Sequence, residues 1–434
     1  MTISGSGGGS GSGSGSGRGP RRKESVPPPS LGRDRVGRYE VIYPLAVGGM
    51  AGVHVGRLSG MAGFEKLVAI KVIHPHLAVK SEFVDMFLDE ARLAARIHHP
   101  NVGEILEIGE DDGLLFMVME LVQGRDLREL FRRAVRSGKP VSHGLCAYIA
   151  SQVCLGLQAA HDLRDADGNH LQLVHRDISP RNVLISYDGF VKLIDFGVAS
   201  ARGRIAQTES DGLKGKLGFM SPEQLRGHKI DRRSDVFSLG VVLYLMVTGQ
   251  HPFPGDTEAA RVEQVLRGPI VSPRRLNPNV RPEMEHIVLK AMARDRVDRY
   301  RSAMELGADL EEYVRIAGDR VGVSTLSMLM GELFHDKIAE HDIRLRAFRK
   351  RTGEPTGLQI LDPGIDDAAG SGSGSFSGTG SRGSRSASGI GFGAEKSDTG
   401  PGTPSALRQR RRLEPAGGAA RRLPRWALFA GGGA

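Results

Sequence analysis

The stretch Leu-Val-His-Arg-Asp-Ile-Ser-Pro-Arg-Asn fills residues 173–182, and Leu-Ile-Asp-Phe-Gly follows at residues 193–197. Asp177 and Asn182 lie five residues apart on an irregular loop, and Asp195 follows a short apolar strand. Two turns therefore bring these three side chains to one edge. A carboxylate that accepts a hydroxyl proton, with Asn and Asp oxygens that bind Mg²⁺, is what phosphoryl transfer from ATP requires. We expect Asp177 to be the base and Asn182 and Asp195 to bind the metal.

The order of these motifs resembles the catalytic core of the protein kinases, which carry H-R-D-x-x-x-x-N followed by D-F-G. The resemblance covers about residues 38–316. Gly-Gly-Met at residues 48–50 and Met-Ser-Pro-Glu-Gln at residues 220–224 are typical of the bacterial eukaryotic-like serine/threonine protein kinase family. The resemblance implies an α+β bilobal kinase fold, with a small antiparallel β-rich lobe that holds one helix and a larger, mainly helical lobe. It also implies ATP and Mg²⁺ as cofactors.

Residues 39–73 alternate in strand fashion, with glycine-containing breaks at residues 47–52 and 60–63, which predicts three antiparallel strands. A glycine turn between strands lets the backbone approach phosphates closely. Kinases carry G-x-G-x-x-G-x-V here, whereas this chain has alanine at two of the three glycine positions, Ala46 and Ala51. The residues that the resemblance places on the nucleotide are Ala46, Gly48, Gly49 and Val53. A tight hairpin without a nucleotide is the alternative.

Val-Ala-Ile-Lys at residues 68–71, on the third predicted strand, resembles the V-A-I-K of the kinases. A lysine on an apolar strand is otherwise an edge or surface residue. Residues 82–97 repeat apolar residues at helical spacing and carry Glu90 shortly before His-His-Pro-Asn. The resemblance implies that Ala69 contacts the nucleotide, that Lys71 binds the α- and β-phosphates, and that Glu90 orients Lys71.

Residues 115–122 read as an apolar strand that ends before a glycine, at the junction between the two predicted lobes. Adenine needs one backbone acceptor and one backbone donor at such a junction. By resemblance, Glu120 offers its carbonyl and Val122 its amide, and Met119 lines the back of the pocket. Leu184 is a further nucleotide contact that the resemblance implies. An ordinary core strand would also explain the apolar run.

The catalytic loop departs from the serine/threonine kinase pattern at Ser179, where those kinases usually have a lysine that touches the transferred phosphate. The activation-segment threonine that this lysine contacts is replaced by Lys216. We therefore expect Lys216 to reach back toward Ser179 and Asp177 and to act with the catalytic residues by supplying the missing positive charge. A solvated loop lysine is the alternative.

A polar segment follows residue 197 and matches the kinase activation segment. Thr208 and Ser210 are the hydroxyl side chains near its middle. Arg176 can pair with a phosphate there, so that phosphorylation of either hydroxyl would order the segment. The alternative is that both are ordinary loop residues.

Three further residues are implied by resemblance to be structural. Asp235 caps the backbone of the catalytic loop, and Arg299 pairs with Glu223, because an unpaired buried Glu223 would be costly.

The acceptor specificity rests on two further signals. Arg181, just before Asn182, resembles the arginine that tyrosine kinases carry there, but the Phe-Met-Ser-Pro-Glu ending at residues 219–223 does not resemble theirs. Transfer to Ser/Thr is therefore favoured, and dual specificity stays open.

The two ends of the chain differ from its centre in composition. The 434 residues include 59 glycines, which concentrate with serine at the ends and leave those ends too apolar-poor to fold. Residues 1–36 hold six Lys/Arg against two acids and residues 351–434 eleven against seven, which leaves about +1 of the formal +9 for the centre. A folded nucleic-acid domain would need a basic face of its own, so we expect no nucleic-acid partner.

We therefore expect five segments. They are a disordered basic segment at 1–36, the small lobe and hinge at 37–123, the large lobe at 124–316, a helical extension at 317–350, and a disordered tail at 351–434 that ends in a short apolar run. The extension carries an apolar helical stripe, made of Leu326, Leu329, Met330, Leu333, Phe334 and Ile338, which predicts packing on the large lobe. A partner-binding helix is the alternative.

Cellular location follows from weaker signals. Cys146 and Cys154 lie eight residues apart on a predicted helix, about 12 Å along its axis, which is too far for a disulfide. The chain starts without an apolar signal region, so we expect a cytoplasmic protein. Arginines precede the apolar residues 426–430, which are too few to span a bilayer. They predict either a truncated membrane kinase or a basic peripheral anchor.

The leading interpretation is an active ATP-dependent protein kinase that transfers the γ-phosphate to Ser/Thr hydroxyls of proteins and phosphorylates itself in bacterial signalling. The rival interpretation is a pseudokinase that binds nucleotide as a scaffold or regulator, supported by the two alanines in the glycine turn and by Ser179. A small-molecule phosphotransferase of similar fold is disfavoured by the full activation segment. The sequence does not indicate the substrate, the activating signal or the oligomeric state.

Overall fold

The computed structural model describes residues 32–196 and 216–352. Residues 32–120 form a small lobe, residues 121–123 a hinge, and residues 124–196 and 216–317 a large lobe. The predictions for Thr208, Ser210 and most of the two terminal segments lie outside the described residues.

The small lobe is built on one antiparallel sheet. Its strands are β1 (Arg35–Val36), β2 (Tyr39–Val47), β3 (Ala51–Ser59), β4 (Glu65–Ile73), β5 (Ile105–Asp111) and β6 (Leu114–Glu120). They are ordered β1-β2-β3-β4-β6-β5, so the three strands predicted over 39–73 are confirmed. Because side chains alternate along a strand, Val68, Ile70 and Val72 are buried on one face of β4, and Ala69 and Lys71 point to the other.

Two helices follow the third long strand, α1 (Pro75–Ala78) and α2 (Ser81–Ala94). On α2 the buried side chains are Phe87, Glu90, Ala91 and Ala94, which recur at the three- and four-residue spacing of one helical face. Phe87 and Ala91 pack against the sheet. Glu90 shares their face, so the packing of the apolar stripe carries a carboxylate into the interior of the lobe.

The large lobe begins with a small sheet and continues as helices. The sheet has the order β7 (Gly124–Asp126), β8 (Val183–Ser186) and β9 (Val191–Leu193). The helices are α3 (Leu127–Arg136), α4 (His143–His161), α5 (Pro222–Leu225), α6 (Arg233–Thr248), α7 (Glu258–Arg267), α8 (Pro273–Leu276), α9 (Pro282–Ala291) and α10 (Ala303–Ala317). Short 3₁₀ turns lie at Met61–Gly63, Leu217–Phe219 and Arg296–Asp298.

Helices α4 and α6 form the centre of the large lobe. Nearly every residue from Ser234 to Val247 on α6 is buried, so this helix has no solvent face. Cys146 and Cys154 on α4 are both buried and free, as predicted. Burial raises the pKa of the Cys146 thiol to about 12, which keeps it protonated at neutral pH.

The last described helix, α11 (Val323–Arg351), contains the predicted apolar stripe. Leu326, Met330, Leu333 and Phe334 are buried in the core of the large lobe, which confirms the predicted packing. The helix also reaches the small lobe, where Phe348 is buried, and the sequence did not predict that contact. Among the helices that the structure describes, none combines the length and the apolarity needed to cross a membrane.

One terminal prediction needs correction. Residues 35–36 fall in the segment predicted to be disordered, yet they form β1 and pair with the start of β2. Val36 is fully buried, and the Gly37 amide donates to Asp111 Oδ2 at 2.9 Å. Burial of one valine and closure of these hydrogen bonds order the backbone there, a tertiary effect that a composition rich in glycine and charge conceals.

Candidate active site

Strand register assembles one face of the candidate site. Val53 on β3 lies opposite Lys71 on β4, Ala69 lies opposite Met119 on β6, and Ala46 lies opposite Val53. Directly paired residues of antiparallel strands share a face of the sheet. The five side chains therefore line the same face, opposite to the one that buries Val68 and Ile70.

Lys71 links the two lobes. Its Nζ donates to Glu90 Oε1 and to Asp195 Oδ1, each at 2.8 Å, and its side chain is only 12% exposed. Burial disfavours the ammonium, but the carboxylates of Asp195 and Glu90 outweigh it and raise the pKa of Lys71 above its ordinary value. The lysine is therefore charged at neutral pH and is held where both carboxylates can direct it toward phosphate oxygens.

The two carboxylates on Lys71 have shifted pKa values of opposite sign. Burial raises the pKa of Glu90, because the attraction of Lys71 does not fully offset the loss of water. Desolvation acts in the same direction on Asp195, but Lys71 outweighs it and lowers the pKa of that carboxyl. Asp195 is therefore ionised at neutral pH, as a metal ligand must be.

The position of Asp195 is fixed by its own backbone conformation and by the hydrogen bonds of the preceding residue, Ile194. It has a φ of 55°, in the left-handed region that non-glycine residues seldom occupy. The amide of Ile194 donates to the carbonyl of Asn182 at 2.9 Å, and His175 Nε2 donates to the carbonyl of Ile194 at 3.1 Å. These contacts hold the turn that brings Asp195 beside Asn182, as the motif spacing predicts.

Asp177 and Asn182 are joined directly. Asn182 Nδ2 donates to the Asp177 carbonyl at 2.8 Å and to Asp177 Oδ2 at 3.0 Å. Among the described residues, neither Oδ1 of Asn182 nor Oδ1 of Asp177 has a hydrogen-bond partner. One oxygen is thus left to bind a hard cation and the other to accept a hydroxyl proton, so the donor set fits Mg²⁺ with Asp195 as its second ligand.

The catalytic loop is held from below by a buried aspartate. Asp235, at the start of α6, accepts from the amides of His175 at 2.8 Å and Arg176 at 2.9 Å, and from His161 Nε2 at 2.7 Å. Burial raises the pKa of a carboxyl, but the His161 hydrogen bond and charge outweigh it, so the pKa of Asp235 is lowered. The predicted cap is confirmed by these two amide bonds.

A second buried ion pair supports the end of the activation segment. Arg299 donates to Glu223 through two parallel bonds of 2.7 and 2.9 Å, and Ser234 Oγ donates to the same carboxylate at 2.6 Å. Both charged residues are almost fully buried. The predicted pair is confirmed, and three donors satisfy its carboxylate.

Lys216 lies against the proposed base. Its Nζ is 2.6 Å from Asp177 Oδ2, the same oxygen that Asn182 contacts. Ser179 is buried, and among the described residues no contact joins it to Lys216. The structure thus places Lys216 on one of the two residues toward which it was expected to reach.

The hinge and the glycine turn carry the remaining predicted nucleotide contacts. Glu120 ends β6 with its side chain paired to Lys192, and among the described residues the amide of Val122 has no hydrogen-bond partner. A free amide at this position fits an adenine acceptor. Leu184 is half-buried on β8.

The glycine turn is closed by a contact that the sequence did not reveal. Gly48 and Gly49 are exposed at its tip, and the Gly48 amide donates to the Ala51 carbonyl at 2.9 Å. His74 Nε2 donates to the Gly48 carbonyl at 2.9 Å. The only sequence signal was a histidine directly after the strand that carries Lys71, which does not by itself indicate a partner.

Comparison with known proteins agrees with this geometry. The family model of the protein kinase domain matches residues 48–308, about three-fifths of the chain. Tyrosine-protein kinase MasK of Myxococcus xanthus is 41% identical over 278 residues, which cover 64% of this chain and 43% of that protein. Serine/threonine-protein kinase PrkC of Bacillus subtilis is 34% identical over 281 residues, which cover 65% of this chain and 41% of that protein.

The chain thus spans about two-fifths of the length of these curated relatives. The crystal structure of the Mycobacterium tuberculosis PknI kinase domain is similar with a TM-score of 0.49 and 25% identity, and the match covers 65% of this chain and 99% of that one. The family match spans both lobes and every residue of the site described above except Ala46. The chain belongs to the protein kinase domain family.

Proposed function

We propose that the chain is an ATP-dependent protein kinase that transfers the γ-phosphate to Ser/Thr hydroxyls of proteins. The observation that supports this most is the placement of Lys71 at 2.8 Å from both Glu90 and Asp195, since this contact joins the small lobe to the proposed metal ligand. Three charges held this close together in a largely buried cleft are typical of a functional site.

The proposed reaction uses the side chains in fixed roles. Asp177 Oδ1 accepts the proton of the substrate hydroxyl. The oxygen of that hydroxyl attacks the γ-phosphorus, and the bond from this phosphorus to the bridging oxygen of ADP breaks. Lys71 holds the α- and β-phosphates, and Glu90 keeps Lys71 in place. Asn182 and Asp195 would hold Mg²⁺, which when bound neutralises charge on the phosphates.

Lys216 is proposed to supply positive charge beside the base. Its ammonium stands next to Asp177, near the place where negative charge develops on the transferred phosphoryl group. A lysine at this point makes up for the absence of one at Ser179. Because the Lys216 side chain is 46% exposed, water screens part of this effect, and its contribution is smaller than that of Lys71.

The proposed acceptor of the phosphate is a Ser or Thr hydroxyl rather than a Tyr hydroxyl. The Phe-Met-Ser-Pro-Glu ending and the similarity to PrkC favour Ser/Thr. Tyrosine is a second candidate, because MasK has the higher identity and Arg181 precedes Asn182 as in tyrosine kinases. Phosphoamino-acid analysis of labelled product decides between them: phosphoserine and phosphothreonine are expected, and phosphotyrosine alone would overturn the Ser/Thr assignment.

Partners and location follow from the same proposal. We propose protein substrates, the chain itself among them, in a cytoplasm that supplies ATP. A membrane surface is a further proposed partner, because the arginine-rich C-terminal end would be attracted to anionic lipids.

The decisive experiment measures transfer of labelled γ-phosphate to the chain itself and to a generic basic protein. Wild type should label both, and Asp195→Asn should label neither, because the amide cannot replace an anionic metal ligand. ATP binding by wild type without any transfer would instead support a pseudokinase. A titration of Mg²⁺ with wild type separates a missing cofactor from a missing activity.

A further inference from the structure

Helix α11 touches both lobes of the kinase domain. Its buried positions run from Leu326 in the large lobe to Phe348 at the small lobe, a distance of about 33 Å at 1.5 Å per residue. The helix is kinked at Phe334, where φ is −125° and ψ is 20°. One continuous element therefore bridges the two bodies that must move when a kinase cleft opens.

The first half of α11 is anchored on the large lobe. Leu326, Met330, Leu333 and Phe334 are each at most 3% exposed. Ser327 Oγ donates to the Tyr187 carbonyl at 2.9 Å, and Arg133 forms an ion pair with Asp336 at 2.6 Å. Burial of these four large apolar side chains makes this the firmly attached end.

The second half is anchored on the small lobe at two separate places, the first of which lies on β3 and β4. The Arg57 guanidinium lies 4.9 Å from the centre of the Phe348 ring, and Arg349 pairs with Glu65 at 3.2 Å. Arg57 is itself 3% exposed and pairs with Glu40 and Glu65. The end of α11 thus adds an aromatic ring to the buried Arg57, whose carboxylate partners lie on β2 and β4.

The other contact is on Tyr43 of β2. The Tyr43 hydroxyl forms a hydrogen bond with His341 Nδ1, and the Arg344 guanidinium lies 5.0 Å from the centre of the Tyr43 ring. Burial raises the pKa of Tyr43 to about 12 and lowers the pKa of His341, so both groups are neutral at pH 7 and this hydrogen bond is kept.

The strands that α11 holds are those that carry the proposed nucleotide contacts. Tyr43 lies three residues before Ala46, where β2 enters the glycine turn. Arg57 is on β3 with Val53, and Glu65 is on β4 with Lys71. Rotation of the small lobe away from the large lobe would carry these strands off the helix and break both contacts.

We propose that α11 is an interlobe strap, which positions the glycine turn and Lys71 over the large lobe and thereby sets the affinity for nucleotide. The proposal rests on the proposed binding of ATP by the cleft. Contacts that favour the closed arrangement raise the fraction of binding-competent molecules, and the apparent Kd for nucleotide equals the intrinsic value divided by that fraction.

The test compares strap variants with a matched control on the same helix. Phe348→Ala and the double variant Tyr43→Phe with Arg349→Ala remove small-lobe contacts and leave the large-lobe anchor intact. Ile343→Ala is the control, because Ile343 is 64% exposed on the same half of α11. Binding of ATP with Mg²⁺ is measured by calorimetry, and kcat and KM for ATP are measured with the full chain.

We expect the strap variants to raise Kd and KM for ATP about fivefold, as the competent fraction falls by that factor, with kcat changed less than twofold and Ile343→Ala like wild type. Phe348→Leu should restore part of the affinity. Equal Kd values in wild type and the double variant would overturn the strap. If Phe348→Ala does not fold, the double variant decides. Absence of ATP binding by wild type would instead overturn the proposed function.

Discussion

Two lysine–carboxylate contacts in this kinase domain look alike at first sight. Lys71 meets Asp195 at 2.8 Å, and Lys216 meets Asp177 at 2.6 Å. The side chain of Lys71 is 12% exposed and has a second partner in Glu90, whereas that of Lys216 is 46% exposed and has one carboxylate. Distance alone does not rank the two contacts, because the dielectric surroundings decide how much an ion pair contributes.

The two contacts also differ in how closely they follow the residue pattern of the kinases. The cluster around Lys71 follows the kinase pattern residue by residue. Burial raises the pKa of Glu90, whereas for Asp195 the effect of Lys71 outweighs burial and lowers the pKa. The contact around Asp177 combines two departures from that pattern, Ser179 and Lys216. We therefore expect the first contact to tolerate no change and the second to be adjustable.

The largest effect is expected from Lys71→Ala. Loss of the cation leaves two carboxylates facing each other and removes the phosphate ligand, so kcat/KM should fall by about 10²–10³-fold or more. Steady-state phosphorylation of a generic protein measures it, with a melting curve to show that the variant folds. A loss below tenfold would show that this contact is no more important than the exposed one.

The next effect concerns stability. Glu223→Ala strands the buried Arg299 and should lower the free energy of unfolding by about 3–5 kcal/mol, measured by denaturant titration. The Ser234 hydroxyl also loses the Glu223 carboxylate to which it donates. An exposed pair on α10, Glu312 with Arg315, is the matched control, and Glu312→Ala should cost at most about 1 kcal/mol.

The same pair predicts a pH dependence of stability. Burial opposes ionisation of Glu223, but Arg299 outweighs this effect and lowers the pKa of the carboxyl below its ordinary value of 4.5. The unfolded state therefore binds the proton first, so this stabilisation is complete above pH 4.5 and is lost as pH falls through the folded value. Glu223→Gln should flatten the stability curve below that pH. An unchanged acid slope would show that Glu223 is not a linked group.

A smaller effect is expected from Lys216→Ala. We expect kcat to fall roughly tenfold, between the few-fold effect of an exposed ion pair and the larger effect of a desolvated donor. High salt should reduce the difference from wild type. Lys229→Ala, an exposed lysine of the same lobe, is the control. An unchanged turnover number for Lys216→Ala would make Lys216 a solvated loop lysine.

The smallest net effect is expected from exchanging the two positions. The double variant Ser179→Lys with Lys216→Thr restores the common serine/threonine kinase pattern and should regain most of the activity that Lys216→Ala loses, to within about threefold of wild type. Kinetics of the two single variants and the double variant form a complete cycle. Additive losses in the double variant would mean that the two residues do not share a role.

Motif spacing located most of the site before any tertiary contact was known. It placed Asp177, Asn182 and Asp195 on one edge, because these contacts depend on short loops whose lengths the sequence states. The contact of Asp235 with the catalytic loop spans about 60 residues of chain, and only the family resemblance implied it. The catalytic roles of these residues stay predictions. Two contacts were not predicted, since neither has a characteristic spacing. They are the contact of His74 with the glycine turn and the ion pairs of the buried Arg57 with Glu40 and Glu65.

The sequence by itself determined the kinase fold, the three antiparallel strands over residues 39–73, the identity of the charged residues and the apolar stripe of the last helix. Only the tertiary structure decided which of its two expected neighbours, Ser179 or Asp177, Lys216 contacts, and that α11 reaches Tyr43 and the small lobe at Phe348. The physical reason is that periodicity reports which face of a helix is apolar, whereas the surface that it meets depends on where the rest of the chain has packed. A lysine on a loop likewise carries its charge in the sequence, but its partner is selected by distance in the folded molecule.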